Sequence, residues 1–485
     1  MSGAPRPRAY RREAARLLRE RPGEREAVIA ATDHSNANRA RAYAAIDAER
    51  WRDWARDVKT HALTNLDRLL EQAEASLTAR GVRVHWAATA ADALTALRGV
   101  VREHAARTVI KGKSMLTEEL GVNAHLEGLG VHVREGDLGE YIVQLLGEPP
   151  THIVGPAIHK SLDDCRRLFH ERLGTPPDAD PDTLASAARA ALREEFLAAD
   201  LGISGANFLA ADTGTIALIE NEGNIRFATS LPRVHVAFVG IEKVVPRLED
   251  VAGLVQLTTR ASTGQPIGNY VSLIQGPRRE DEPDGPDEVH VVLVDNGRTA
   301  LLADERAWEA LRCVRCGACL NVCPVYRQTG GYPYGWTYSG PIGAILAPGM
   351  LGLEEAMPLP YASSLCGACA EACPVRIPIP DLLVYWRERA VEAGLAPLAE
   401  SAAIGAYAAT AKSRPLFELA GAVLRRLPWR LGGRALPVLG GWTSEREAPH
   451  AGPKSFMALW RDELSREAPR REAPAKEGPS REDTT

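Results

Sequence analysis

The sequence of 485 residues has no uninterrupted apolar run long enough to cross a membrane. A membrane-spanning helix needs about 18 or more such residues, so no transmembrane segment is predicted. The first 21 residues are rich in Arg and Ala but contain no apolar core of a secretory signal. Glu13 and Glu20 also break the acid-poor pattern of an organellar transit peptide. We therefore expect a cytoplasmic protein that begins with an exposed basic helix.

The chain also lacks a strong excess of charge of either sign. Its 58 basic and 63 acidic residues give a net charge of −5, which gives no reason to expect nucleic acid as a partner. It has no G-x-G-x-x-G motif after a predicted strand, which disfavours a dehydrogenase that binds a nucleotide cofactor. No Ser/His/Asp arrangement can be recognised either, so the sequence assigns no catalytic residue.

Cysteine is nearly absent outside one region of the chain. Seven of the eight cysteines lie between positions 313 and 373, and only Cys165 stands apart. A disulfide framework spreads its cysteines through a short secreted chain, whereas this clustering in a long chain indicates metal binding in a reducing compartment. Cys165 lies in a helical stretch and is predicted to be a free or buried thiol.

Composition and periodicity divide the chain into five regions. Apolar residues at helical spacing predict N-terminal helices. Short β-rich runs that alternate with helical ones, among them a predicted strand at 151–154, predict an α/β domain with a largely parallel sheet. The cysteine region follows, then helical segments interrupted by proline, and finally a charged, Pro-rich tail that we expect to be disordered. The predicted regions are 1–77, 78–298, 299–390, 391–465 and 466–485.

The first cysteine segment has the C-x₂-C-x₂-C-x₃-C-P spacing of bacterial ferredoxin-type proteins. It contains Cys313, Cys316, Cys319 and Cys323, followed by Pro324. Three thiolates separated by two residues each wrap one loop around a cubane cluster, and the Gly and Ala between them allow close approach of the backbone. The fourth cysteine leaves this loop and reaches a neighbouring cluster, while the proline turns the chain away.

The second cysteine segment, residues 366–374, resembles the first but lacks one position. Ser363 stands where a complete run would have its first cysteine. Crossed ligation then predicts two clusters, of which the second has only three thiolates. The fourth iron of that cluster would be bound by Ser363, water or another group, or would be absent, as in a 3Fe–4S cluster. The predicted ligands are Cys313, Cys316, Cys319 and Cys373 for the first cluster and Cys323, Cys366 and Cys369 for the second.

The alternative for these cysteines is structural zinc, because paired C-x₂-C motifs also bind that metal. Three cysteines in a C-x₂-C-x₂-C row and two Cys-Pro steps favour iron–sulfur clusters instead. The long separation between Cys323 and Cys366, with helical patches such as 342–346, predicts a helical ferredoxin module rather than a compact β-rich one. The predicted cofactors are therefore two 4Fe–4S clusters, and the predicted activity is electron transfer.

The α/β domain contains one candidate anion site. Lys111, Lys113 and Ser114 lie where a predicted strand runs into a helix, so the two amines and the helix N-terminus can hold an anionic group. The alternative, a surface loop with solvated lysines, stays open because K-G-K-S is not a P-loop. Polar residues 211–215 and 220–224 are predicted first as turns that flank a strand in a hairpin-like structure.

Five segments of the chain are distinctive in sequence. They are VIKGKSMLTEELGVN (109–123), ANFLAADTGTIALIENEGN (206–224), RCVRCGACLNVCPVY (312–326), YPYGWTYSGPIGAIL (332–346) and LPYASSLCGACAEACPVRI (359–377). Together they resemble the lactate-utilisation protein B family over nearly the whole chain. Serine in place of cysteine at position 363 is itself part of the family pattern.

The resemblance implies a fold and a role that the residues alone do not give. The implied fold is an α/β domain similar to the NagB/CoA-transferase fold, then a ferredoxin module and a helical C-terminal extension. The implied role is an iron–sulfur electron-transfer subunit in the oxidation of L-lactate to pyruvate, acting with two other lactate-utilisation proteins.

Two other functions are open at this stage. The α/β domain could itself be a catalytic unit, or a unit that binds CoA or a sugar phosphate, while the clusters serve a different oxidoreductase. The cysteine region could also be a zinc-stabilised adaptor that only assembles partner proteins. Metal analysis separates the adaptor from the electron carrier.

Overall fold

The computed structural model describes residues 6–426 and 452–464. The chain divides into two compact units, Met1–Ala393 and Gly394–Thr485. No helix within the described ranges is long and apolar enough to cross a bilayer. The tail predicted to be disordered, 466–485, lies outside the described residues.

Four α-helices precede the first strand in the described part of the N-terminal region. They are α1 (Tyr10–Glu20), α2 (Pro22–Ala44), α3 (Ala48–Thr64) and α4 (Leu66–Thr78). Helix α3 begins after Asp47, whose carboxylate accepts a hydrogen bond from the Arg50 N–H at 3.2 Å. This helix buries the long side chains of Arg52 and Lys59, which face the rest of the unit.

Ten strands form two sheets in the α/β domain. They are β1 (Arg83–Ala87), β2 (Thr108–Lys111), β3 (His132–Glu135), β4 (Leu201–Ser204), β5 (Phe208–Ala210), β6 (Thr215–Glu220), β7 (Val234–Gly240), β8 (Val244–Val245), β9 (Tyr270–Ile274) and β10 (Glu288–Val294). The larger sheet has the order β1-β10-β7-β4-β2-β3, and every neighbouring pair is parallel. Strands β7 and β10 are almost entirely apolar and buried, as parallel strands covered on both faces are. The predicted α/β domain with a largely parallel sheet is confirmed.

The smaller sheet has the order β8-β5-β6-β9. Strands β5 and β6 pair antiparallel, with Ala210 opposite Thr215, so the predicted hairpin-like structure is present. The prediction of a strand at 151–154 was wrong, because these residues form a bent loop. There the N–H and hydroxyl of Thr151 both donate to the carbonyl of Pro156, which closes a local loop in place of a strand ladder.

Eight helices connect or cover the strands of this domain. They are α5 (Ala90–Glu103), α6 (Met115–Leu120), α7 (Val122–Gly128), α8 (Leu138–Leu146), α9 (Leu162–Leu173), α10 (Pro181–Ala198), α11 (Asn224–Ser230) and α12 (Leu248–Ser262). Gly121 separates α6 from α7 because it adopts a φ of 70°, which ends the first helix.

The regular elements of the cysteine region are all helices. Its α-helices are α13 (Arg298–Leu302), α14 (Ala318–Val322), α15 (Tyr326–Thr329), α16 (Gly340–Leu351), α17 (Leu353–Ala356), α18 (Ala368–Ala372) and α19 (Ile379–Glu392). No strand occurs between residues 295 and 393, so the predicted helical ferredoxin module is confirmed. The second unit contains α20 (Leu398–Ala411), α21 (Arg414–Arg426) and α22 (Phe456–Leu459) within its described residues.

One hydrophobic core joins the N-terminal helices, the smaller sheet and the cysteine region. It includes Val28 and Ala55 from the helices, Phe208 and Val255 from the α/β domain, and Tyr334 from the cysteine region. The buried cysteines belong to the same core. The ferredoxin module is therefore packed into the first unit rather than attached by a linker.

Candidate functional site

The first cysteine segment is a tight loop that runs into a short helix. Arg315 adopts a φ of 60° and Gly317 a φ of 76°, and α14 begins at the next residue. This curvature turns the Arg315 N–H toward the Cys313 sulfur, to which it donates at 3.3 Å. Such N–H donors stabilise negative charge on a thiolate.

The second segment repeats this loop, but a serine oxygen stands where the first segment has a cysteine sulfur. Leu365 adopts a φ of 55° and Gly367 a φ of 88°, and α18 follows. The Leu365 N–H donates to the Ser363 hydroxyl oxygen at 3.1 Å, as the Arg315 N–H does to the Cys313 sulfur. Ser363 therefore stands at the structural equivalent of Cys313, three residues before the next cysteine.

The seven cysteines lie together but differ in their access to solvent. Six of them are buried, whereas Cys366 is exposed. One buried cavity is lined by four sulfur-bearing residues and by aliphatic side chains such as Ile342 and Ile379. Those four residues are Cys313, Cys316, Cys319 and Cys373.

Burial raises the pKa of five of the thiols, because a thiolate without a counter-charge is poorly solvated there. These are Cys316, Cys319, Cys323, Cys369 and Cys373. Repulsion between neighbouring thiolates contributes after burial, and the neighbours fall into two sets. The first set joins Cys313, Cys316 and Cys373, and the second joins Cys323, Cys366 and Cys369. Cys319 is affected by members of both sets, so the two sets adjoin each other.

The spacing of the sulfurs bears on which metal fits. Tetrahedral zinc with Zn–S bonds of 2.3 Å requires sulfurs about 3.8 Å apart. Among the described residues, two groups of three side chains bring all their ligand atoms within 4.8 Å, and neither contains a cysteine. Four thiolates that each bind a different iron of a cubane stand further apart, so the donor set fits an iron–sulfur cluster better than zinc.

Buried polar contacts from other elements hold both segments in place. The Arg52 guanidinium donates to the carbonyls of Cys373 at 3.0 Å and Ala370 at 3.1 Å. The side-chain amide of Asn36 donates to the carbonyl of Asn321, at the end of the first segment, at 2.8 Å. Sequence reasoning missed Arg52 and Asn36, because their partners lie about 300 residues away along the chain.

His152 adds a third contact, from the α/β domain to the first segment. Its Nδ1 accepts hydrogen bonds from the Val154 and Gly155 N–H groups, so the proton is on Nε2. This Nε2–H donates to the side-chain oxygen Oδ1 of Asn321 at 3.1 Å. Burial and the charge of Lys113 lower the pKa of His152 to about 3. The histidine is therefore neutral in the folded protein at pH 7.

A second, open cavity lies between the α/β domain and the first cysteine segment. Of the three residues predicted to bind an anion, Lys113 and Ser114 line this cavity. The Lys113 amine donates to the Val154 carbonyl, and the Ser114 hydroxyl accepts from the Thr117 N–H at the start of α6. Cys316 lines the same cavity, which therefore reaches one of the predicted cluster ligands.

Lys111 lies inside the domain and does not line that cavity. Its side chain is wholly buried, so the alternative of a solvated lysine is wrong at this position. The amine lies 2.9 Å from carboxylate oxygens of Glu118 and Glu135 and 3.7 Å from Glu140. Burial alone would lower the pKa of Lys111, but these carboxylates outweigh burial and raise it. Lys111 therefore acts as an internal counter-charge for Glu118 and Glu135, while burial and the charge of Glu135 raise the pKa of Glu140.

A buried charge network connects the cavity wall to the ferredoxin module. Arg298 donates to Glu119 at 2.9 Å and to Glu242 at 2.6 Å. Arg315 lies 3.4 Å from Glu242, and Tyr338 donates to Glu119 at 2.7 Å. Burial raises the pKa of Glu242, but the two arginines outweigh it and lower that pKa to about 2. These residues are scattered from 119 to 338, so no local pattern in the sequence indicates the network.

Known proteins share both parts of this architecture. Residues 70–294 match the LUD domain, and residues 309–377 match the 4Fe-4S dicluster domain. "Lactate utilization protein B" of Bacillus thuringiensis (strain Al Hakam) is 42% identical over 420 residues, which cover 85% of this chain and 88% of that protein. The protein of the same name from Bacillus anthracis (strain CDC 684 / NRRL 3495) has the same identity and coverage. The chain belongs to the lactate utilization protein B family.

Membership of this family confirms the resemblance inferred from the five sequence segments. The 4Fe-4S dicluster match also confirms that the cysteine region is of the iron–sulfur type. A crystal structure of a DUF162 family protein from Deinococcus radiodurans matches 47% of this chain and 98% of its own, with 15% identity and a TM-score of 0.27. A TM-score this low supports no conclusion about the present chain.

Proposed function

We propose that this chain is an iron–sulfur electron-transfer subunit in the oxidation of L-lactate to pyruvate. The observation that carries the proposal is the pair of cysteine loops, which place seven thiols together within the region that matches a 4Fe-4S dicluster domain. The name of the relatives supplies the pathway. The chain acts with two other lactate-utilisation proteins, one of which brings the electrons from lactate.

The proposed first cluster is bound by the four cysteines that line the buried cavity. Cys313, Cys316 and Cys319 come from the first segment and Cys373 from the second. This arrangement requires the last cysteine of each segment to cross to the other cluster. Two observations support it. The four cysteines line one cavity, and repulsion between thiolates groups Cys373 with Cys313 and Cys316 rather than with the cysteines of its own segment.

The proposed second cluster is bound by Cys323, Cys366 and Cys369. Its fourth iron is bound by Ser363, by water or by another group, or is absent. The hydroxyl of Ser363 already accepts a hydrogen bond from the Leu365 N–H, which leaves a lone pair for a metal. When bound, the two clusters accept and release single electrons.

The protein contributes insulation and positive charge to this chemistry. The guanidinium of the buried Arg52 donates to the Cys373 carbonyl, and the backbone N–H of Arg315 donates to the Cys313 sulfur. Cationic neighbours and N–H donors stabilise the extra negative charge of a reduced cluster, and they thereby raise its reduction potential.

The test is reduction of the chain by the proposed electron donor. Anaerobically purified full-length protein is mixed with the two partner proteins and L-lactate, and electron paramagnetic resonance (EPR) measures the reduced clusters. We expect the intensity reached with L-lactate to approach the intensity reached with dithionite. The matched control is the Cys373→Ala variant, which lacks a ligand of the first cluster and should lose the EPR signal of that cluster.

A failure of this test has a clear form. If dithionite reduces the clusters but L-lactate with both partners does not, the chain is not an electron carrier for lactate oxidation. Omission of either partner should also abolish reduction by L-lactate. Reduction that persists without partners would contradict the assignment of this chain as a subunit that only transfers electrons.

A further inference from the structure

We propose that the open cavity beside the first cysteine segment binds a small carboxylate anion through Arg315 and Lys243. The cavity lies between β7, α12 and the cysteine loop, so it has walls from both the α/β domain and the ferredoxin module. Lys243 ends the short turn that follows β7. Thr258 lies on the buried face of α12, and Arg315 lies in the cysteine loop.

Arg315 provides the clearest sign of a missing partner. Its side chain is 8% exposed, and one guanidinium nitrogen lies 3.4 Å from Glu242. The other terminal nitrogen, Nη1, is buried and has no hydrogen-bond partner. A buried charged donor without an acceptor destabilises the fold more than a neutral one does, so an acceptor from a ligand is expected there. The guanidinium also lies over the Tyr338 ring at 4.4 Å, which fixes its orientation.

Lys243 and Thr258 supply two further donors in the same cavity. The Lys243 amine has no hydrogen bond or ion pair with any described residue, although its neighbour Glu242 binds both Arg298 and Arg315. The Thr258 side chain is 7% exposed, and its hydroxyl is buried without a partner. A guanidinium, an ammonium and a hydroxyl together match the two oxygens of a carboxylate and one adjacent polar oxygen.

The charge of the whole lining limits the class of anion. Three basic residues line the cavity, namely Lys113, Lys243 and Arg315. Four acidic residues line it as well, namely Asp137, Glu220, Glu222 and Glu242. A ligand with several negative charges, such as a nucleotide triphosphate or the phosphates of CoA, would be repelled by this surplus of carboxylates. A small monocarboxylate needs only the local positive charge at Arg315 and Lys243.

The competing role for these cations is to balance the negative charge of the first cluster. Both roles predict that loss of the Arg315 guanidinium is harmful, because it pairs with Glu242 and belongs to the residue two positions after Cys313. Lys243 and Thr258 separate the two roles. Thr258 carries no charge, so its hydroxyl contributes to ligand binding but not to charge balance.

The experiment is calorimetric titration of the anaerobically purified full-length chain with pyruvate, L-lactate and inorganic phosphate. We expect pyruvate or L-lactate to bind, and phosphate to bind at least tenfold more weakly. In Lys243→Gln and in Thr258→Val, carboxylate binding should weaken at least tenfold and about threefold, respectively, with iron content unchanged. Lys412→Gln, at the exposed residue that follows α20, is the matched control and should bind as the unchanged chain does.

Three results would overturn the proposal: no binding of either carboxylate, phosphate bound as well as the carboxylates, or unchanged binding in both cavity variants. The choice of these two carboxylates rests on the proposed function, but the test itself does not, because calorimetry measures binding without turnover. A chain that L-lactate cannot reduce could still bind the carboxylate, so the two proposals fail separately. A second measurement is the EPR spectrum of the reduced protein, which pyruvate should change in the unchanged chain but not in Lys243→Gln.

Discussion

The two cysteine segments share one backbone geometry but have opposite surroundings. In each, a non-glycine residue with positive φ precedes a cysteine, a glycine with positive φ follows it, and a five-residue helix comes next. The first segment is buried by the N-terminal helices and the α/β domain. The second carries Leu365, which is 38% exposed, and Cys366, which is exposed.

This difference assigns different tasks to two loops that look alike in sequence. Burial protects a cluster from solvent and lets nearby charges act on it strongly, whereas exposure shortens the distance to a partner protein. We expect the first cluster to exchange electrons with a molecule bound in the cavity that Cys316 lines. We expect the second cluster to exchange electrons with a partner protein at the surface. The serine at position 363 falls on the exposed side, where one ligand fewer also leaves a cluster open to solvent.

The largest expected effect comes from removal of the crossing cysteines. Cys373→Ala should remove the first, buried cluster, and Cys323→Ala should remove the second, exposed one. Each variant should lose about half of the iron and one of two EPR signals, because a cubane with a missing thiolate at this position is poorly held. Iron analysis and EPR of the two reduced proteins measure this.

If each segment bound its own cluster, different variants would lose the same EPR signal. If Cys373→Ala removed the same signal as Cys366→Ala, each segment would bind its own cluster, and the proposed ligand sets would be wrong. Cys165→Ala is the matched control, because Cys165 lies far from the other cysteines in α9 and should leave both signals unchanged.

A smaller change should follow when the missing thiolate is restored. Ser363→Cys places a sulfur where the first segment has Cys313, with the Leu365 N–H already directed at that position. The second cluster should then hold four irons and resist loss of iron in air for longer. Mössbauer spectroscopy and the rate of bleaching in air measure this. Ser364→Cys, one residue away and exposed, should change neither quantity.

The contacts that hold the two segments should differ in strength. Arg52→Met removes a charged donor from two buried carbonyls of the second segment, at a cost of about 3 kcal/mol in unfolding free energy. Asn36→Ala removes one neutral hydrogen bond to the first segment, at a cost of about 1 kcal/mol. Unfolding in guanidinium chloride, monitored by tryptophan fluorescence, measures the unfolding free energy of each variant. Equal losses would show that the charged contact contributes no more than the neutral one.

The last expected effect is a response of stability to pH through the first segment. His152 has a pKa of about 3 in the folded protein, below the about 6.5 of an unfolded chain. Its contribution to stability is therefore complete above pH 6.5 and is lost as the pH falls toward 3. Between pH 7 and pH 5 the loss is about 2 kcal/mol.

His152→Asn tests this pH dependence, because the asparagine oxygen can still accept the backbone N–H bonds without titrating. The unfolding free energy of the unchanged chain should fall more steeply between pH 7 and pH 5 than that of the variant. Parallel curves would show that His152 does not couple acid to the stability of the first segment.

The local parts of this molecule could be predicted from its sequence. Cluster ligands follow one another at spacings of two and three residues, so a loop that binds a cubane is visible in a few residues. The parallel sheet can be predicted equally well, because β7 and β10 are apolar except for His235 in the first and Glu288 and His290 in the second. A strand at 151–154 was wrongly predicted from similar residues, since that loop instead packs against Tyr326 and Ser339.

The long-range parts could not be predicted. Lys111 looked like a possible anion ligand because a glycine and a second lysine follow it, yet its partners are Glu118, Glu135 and Glu140 inside the domain. Nothing in the sequence shows that Arg315 faces Glu242 or lacks a second partner. Such pairs depend on how distant elements meet, and no spacing rule describes them.

The identity of the bound metal decides whether this chain can transfer electrons. The direct measurement is quantitation of iron, acid-labile sulfide and zinc in the full-length chain purified without air, together with its EPR spectrum after reduction. We predict about seven or eight irons per chain, sulfide in similar amount and signals of reduced clusters. One or two zinc ions per chain, without iron or sulfide, would contradict the account and leave an adaptor in place of an electron carrier.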